Sequence, residues 1–140
     1  MDSPLLIHII FIFLNNIMIN IHRIAILLFF IMFVYSGFRK IPNFSKNVKG
    51  LEGKTKLPSP INELGMVGVI LLEIIGSLII VYYFWGGRLF SKELVKYIVL
   101  LFLLFMLVVT PLYHPPNKQI IPFLANVTTF AGFLLIYNMI

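Results

Sequence analysis

The stretch Val69–Ile80 reads VILLEIIGSLII. Every residue in it is apolar, small or hydroxylic except one carboxylate, Glu73. It is the middle of a longer apolar run, from about Ile61 to Trp85, that stops at Gly86-Gly87. Such a run is long enough to cross ~30 Å of hydrocarbon, which takes about 20 residues. In lipid, backbone amides and carbonyls must be satisfied within the segment, so the run is expected to be a helix. A lone acid at that depth costs several kcal/mol and usually faces the bundle interior, where it finds a partner.

The rest of the chain repeats the pattern. Of its 140 residues, 60% are hydrophobic and only 11% charged, and the mean hydropathy is +1.01. Soluble domains are ~45–50% apolar and ~25% charged, so an integral membrane protein of one domain is expected. Three further apolar segments stand out. The first ends at Phe38, before Arg39-Lys40, and begins no later than Ile24. The third covers about Lys92–Tyr113, with Ser91 placed to cap it and His114-Pro115-Pro116 ending it. The fourth covers about Lys118–Asn138, with Pro122 in its first turn, where a missing N–H costs little. Four segments cannot close a barrel, and the last two connections are short. The expected fold is all-α, an integral membrane four-helix bundle.

Pro42–Pro60 is polar and basic and reads as a loop with room for a short interfacial helix. Met1–His22 holds no Lys or Arg and no small-x-small site follows it, so no cleaved signal peptide is expected. Asn15, Asn16 and Asn20 each lower helix propensity by under ~1 kcal/mol, and no Pro or Gly intervenes. The first helix is therefore expected to start near Leu5, making residues 1–20 a hydrophobic extension continuous with it.

The net charge of +6 lies between the apolar runs, which suits loop charge flanking membrane spans rather than nucleic acid. Seven Lys and Arg (Arg39, Lys40, Lys46, Lys49, Lys54, Lys56, Lys118) fall on one side, here the near side, and at most four (Arg23, Arg88, Lys92, Lys96) on the far side. The positive-inside rule puts the first loop in the cytoplasm and both termini outside. With no cysteine, disulfides and thiol chemistry are excluded.

Glu73 lies about 20 Å along its helix from Pro60, and Arg23 about 25 Å from Lys40, at 1.5 Å per residue. The two are therefore expected to meet across the first two spans. Such a pair is either structural or lines a polar cavity used by a ligand, a proton or a quinone head group; a lipid-facing, protonated Glu73 is the remaining reading. Arg39, Lys40, Glu63, His114 and Asn126 fall at the near ends of their helices. They are read either as interfacial caps and snorkelling side chains or as a shallow polar mouth leading to Glu73. His114 has no second ligand at metal spacing, so no metal is expected; His8 and His22 receive no role. Gly37, Gly65, Gly68, Gly76 and Gly132, with Ala125 and Thr129, are expected to let helices approach closely. The sequons at Asn43 and Asn126 lie against or within the membrane and are not expected to carry glycan. No hydrolytic triad, phosphate loop or haem-ligand pair is present, and no catalytic residue is assigned.

These residues resemble the DoxX family of small four-span membrane proteins from about Ile21 onward. The carriers are Arg23, Gly37 and Lys40 in RIAILLFFIMFVYSGFRK, Glu73 and Gly76 in LLEIIG, His114, and Asn126 followed by Gly132. The resemblance implies a DoxX-like domain over residues 21–140 and an association with membrane redox systems, with a quinone as the candidate cofactor. The expected role is an accessory subunit of a quinone-linked membrane complex, not catalytic alone, with the lipid bilayer and a membrane or redox protein as partners and no nucleic acid. The alternative is a membrane chaperone or cargo-binding protein. A small transporter is a weaker third, because no internal repeat is visible.

Overall fold

The computed structural model describes Ser3–Ile140, with side chains from Ile7 onward; Met1 and Asp2 of the expected extension lie outside the described residues. The fold is all-α. Helix α1 is Ser3–Lys40, α2 Phe44–Thr55, α3 Ser59–Phe84, α4 Lys92–Tyr113 and α5 Ile120–Met139. Four of them, α1, α3, α4 and α5, are long and apolar enough to cross a membrane. Helix α1 runs through Asn15, Asn16 and Asn20 without a break. Helix α3 contains one π-helical turn, Leu72–Gly76, which holds Glu73.

Aromatic rings make the core. Phe102 of α4 and Phe133 of α5 stack, with centroids 4.7 Å apart and planes 16° from parallel. Phe30 and Phe33 of α1 meet Phe102 edge-on at 5.7 and 5.2 Å. Such pairs add about 0.5–1.5 kcal/mol each beyond their buried area. Above and below them Ile26, Ile80, Val95, Val99 and Met106 are buried. The buried positions of α4 (Val95, Ile98, Val99, Phe102, Leu103, Met106, Thr110) recur every three or four residues, which keeps one face inward.

The ends are set by local chemistry. Pro42 cannot extend α1, and the chain turns through Ile41–Asn43 into α2. The polar stretch after α1 is thus largely helical: Phe44, Val48, Leu51 and Thr55 sit one turn apart and face the bundle, leaving Lys46 and Lys49 outside. Gly86, at φ +92°, makes the turn after α3. Ser91 Oγ accepts from Leu94 N at 3.2 Å and caps α4.

The small-residue expectation divides. A Cβ on Gly37 would lie 2.6 Å from Ile74, one on Gly76 3.1 Å from Ile98, and one on Gly132 2.6 Å from Phe29, so these three mark close helix approaches. Gly65 and Gly68 have nothing within 4 Å and do not pack. At their level α3 turns Asn62 and Met66 inward, and 3.6-residue geometry places Gly65 on the flank and Gly68 toward the opposite side.

Candidate functional site

Gly37 sets the geometry of the site. Its missing side chain brings α1 against Glu73 and Ile74 of α3. One turn nearer the end of α1, Lys40 extends its ammonium to both Glu73 oxygens, at 2.8 and 2.6 Å. Lys40 also donates to Ser36 Oγ at 2.6 Å, and Ser36 donates to Glu73 Oε1 at 3.4 Å. Glu73 is only 3% exposed. Its carboxylate therefore has a counter-charge and a hydroxyl at hydrogen-bond distance, which is what a charge in a low-dielectric site requires.

Arg23 is not the partner of Glu73. With Gly37 level with Glu73, Arg23 lies fourteen residues further along α1, or about 21 Å away. Its guanidinium sits instead beside Gly86, 3.8 Å from where a Cβ would stand, and its buried Nε meets no protein acceptor. The expected pairing assumed that Lys40 and Pro60 share a plane. They do not: α2 folds back against the start of α3, which begins roughly 15 Å before the level of Lys40. The acid is reached by the cation at the end of α1 and not by the one in its middle.

Lys40, Glu73, His114 and Asn126 line one cavity of about 320 Å³. Asn47 and Leu51 of α2 contribute to it from outside the four spans, and Thr129 and Ser36 add hydroxyls. The remaining wall is apolar, chiefly Met32, Phe33, Met66, Phe105 and Met106. His114 Nδ1 lies 2.6 Å from Gln119 Oε1. The amide oxygen only accepts, so Nδ1 is the donor of this bond. Arg39 and Glu63 are not part of this cavity. Arg39 lies over Tyr35, 5.9 Å from the ring centre, and Glu63 accepts from Ser59 at 3.1 Å.

Two side chains not singled out in the sequence hold α2 in place. Asn62 is 2% exposed; its Nδ2 donates to Leu57 O at 2.8 Å and Pro58 O at 3.3 Å. Its Oδ1 accepts from Thr55 Oγ1 at 2.8 Å. Lys54 reaches the end of α4, 3.4 Å from Leu112 O and 4.5 Å from the centre of the Tyr113 ring. An asparagine in the first turn of a helix whose start is flanked by prolines is a common residue in a common place, so only the periodicity of α2 pointed to this arrangement.

Chemically, the cavity offers an ammonium, amides and an imidazole at one side and apolar side chains at the other. No known family model matches this chain, and neither does any curated protein or solved structure.

Proposed function

We propose that this is a DoxX-like membrane protein that holds a small amphipathic molecule of the quinone class and serves as an accessory subunit of a membrane redox complex. The observation that carries the reading is the two-sided cavity of about 320 Å³ around Lys40, Glu73 and Asn126. Its volume is at the lower end of small-molecule sites, which run from about 300 to 1,000 Å³, mostly apolar with a few placed polar groups. A quinone head carries two carbonyl acceptors and an apolar tail. Asn126 supplies a donor for the first, the Lys40 ammonium, whose protons go to Ser36 and Glu73, places positive charge beside it, and Phe33, Met66, Phe105 and Met106 form a wall for the second. When bound, such a molecule supplies two-electron carriage; the chain's own residues orient it and hold charge beside it. Glu73 keeps Lys40 at the cavity wall, and Asn47 and Leu51 of α2 add to its lining.

The accessory role rests on the absence of cysteine from the chain and on exposed apolar side chains along the first half of α1, among them Ile7, Phe11, Phe13 and Met18. The same surface favours the second reading, a membrane chaperone or cargo-binding protein. Purification in mild detergent followed by lipid extraction and identification of bound proteins separates the two. A retained quinone, lost on Asn126→Leu, together with an oxidoreductase partner supports the first reading. Unrelated membrane proteins without a quinone support the second and overturn the first.

A further inference from the structure

A second recess opens beside the cavity, between the end of α1 and the start of α2. It has a volume of about 450 Å³, and its wall includes Arg39, Lys40, Lys46, Asn43 and Asn47. No acid lines it. Glu73 lies behind it, in the adjoining cavity, already occupied by Lys40 at 2.6 Å. That is the only ion pair among the described residues, so Arg39 and Lys46 bring two uncompensated charges to the recess. Helix α2 begins at Phe44, and its first turn adds the partial positive charge of a helix N-terminus. Asn43 does not cap that turn; its amide donates to Arg39 O at 3.0 Å and ties the two helices at the elbow.

The recess continues into an apolar strip. Leu28, Ile31, Met32 and Tyr35 are spaced one turn apart on α1, and each is more than half exposed (62%, 59%, 56% and 63%). Met32 and Tyr35 belong to both the strip and the recess. Two cations and two amides therefore stand together at the end of α1, with an apolar track leading from them along the helix. That is the outline of an anionic amphiphile.

We infer that this recess binds a phosphate-type oxyanion, the headgroup of an anionic phospholipid whose chain lies along Leu28, Ile31, Met32 and Tyr35. Arg39 and Lys46 hold the charge, and the arginine fork suits two phosphate oxygens at once. Lys40 stays with Glu73 and forms the wall between the two chambers. The inference does not depend on what occupies the cavity.

The test uses the full chain in mild detergent, with short-chain phosphatidylglycerol, short-chain phosphatidylcholine and inorganic phosphate as probes and native mass spectrometry as the readout. The protein should retain phosphatidylglycerol in preference to phosphatidylcholine. Arg39→Gln with Lys46→Gln should lower that retention about 30-fold, as expected for two basic side chains at a membrane surface. The same change of net charge at the far end, Arg88→Gln with Lys92→Gln, should leave it intact. Equal retention of both lipids, or equal loss from the two double variants, overturns the site. Phosphate binding alone, abolished by the first double variant, supports the oxyanion site with soluble phosphate as its source; lipid retention that phosphate does not displace supports the lipid. Quinone retention is read on the same samples and should be unchanged by the first double variant, so each assignment stands or falls separately.

Discussion

Each end of α1's bundle portion sets a cation against the bundle, Lys40 at the near end and Arg23 at the far end, and the bundle treats them differently. At the near end Lys40 has a carboxylate and a hydroxyl within 2.8 Å. At the far end Arg23 has the turn at Gly86 beside it, and its Nε meets no protein acceptor. The near end also has a helix folded over it and a cavity beneath. The difference teaches that depth alone does not decide which charge needs a partner. Arg23 is level with the end of α3, where a long guanidinium side chain reaches the interface. Glu73 lies under α2, on a short side chain, and has to be met where it is.

The largest expected effect breaks that contrast directly. Glu73→Gln should lower the unfolding free energy in detergent by about 3 kcal/mol, the lower end of the cost of breaking a buried pair because Lys40 is 23% exposed. Glu73→Gln combined with Lys40→Met should recover part of that loss, whereas Glu73→Gln combined with Arg23→Gln should simply add. Thermal melts of the singles and doubles form two cycles, and coupling to Arg23 in place of Lys40 would refute the pairing.

Next in size is Gly37→Leu. Its first carbon would stand 2.6 Å from Ile74 and 3.2 Å from Glu73, so a loss of about 1–3 kcal/mol is expected from overpacking. Gly65→Leu, on the flank of α3 with nothing within 4 Å, should stay within about 0.5 kcal/mol of wild type. Equal losses at the two glycines would mean that the close approach at Gly37 is wrong.

Asn62→Ala removes the tie between α2 and α3 and should cost about 1–2 kcal/mol, most of it from Leu57 O left without its partner, since Thr55 keeps its bond to Leu51 O. Hydrogen exchange is the sharper measurement. Amides of α2 should exchange faster while those around Phe102 do not change; uniform acceleration would show that α2 is no separate unit. The smallest effect is expected at the far end, where Arg23→Gln should change stability by under about 1 kcal/mol, having no pair to break. A melt as depressed as that of Glu73→Gln would erase the contrast between the two ends.

Much of this was legible in the chain. Run length and composition show the four spans, because lipid leaves the backbone so few alternatives. Glu73 was legible as an acid at the wrong depth, and Lys40, His114 and Asn126 as polar residues at the near ends of their helices; the structure brings these four to one cavity and leaves Arg23 outside it. The partner of Glu73 was not legible. It depends on the offset between α1 and α3, which α2 sets by folding back, and a polar stretch holding two glycines and flanked by prolines reads more readily as a loop. Glycine spacing misled for a related reason: Gly65 and Gly68 share a helix with Gly76, but which side a helix presents is decided by its larger side chains.

The length of α1 has its own consequence. Its 38 residues make a rod of about 57 Å, against about 30 Å for α5 and for a hydrocarbon core. Beyond Arg23 the excess carries Ile7, Ile9, Ile10, Phe11, Ile12, Phe13, Leu14, Ile17, Met18, Ile19 and Ile21, each at least 40% exposed. At about 1.5–3 kcal/mol for a fully exposed side chain, and roughly half of that for these, leaving them in water would cost on the order of 10–15 kcal/mol. That is comparable to the net stability of a whole domain, about 5–15 kcal/mol. A bend near Asn15–Asn20 would cost only a few kcal/mol in lost helix bonds, so hydration of this segment loses to any route that coats it. In detergent the coat is detergent: the protein should carry a lopsided belt, with more bound surfactant at its far end than a four-span bundle of even length would hold.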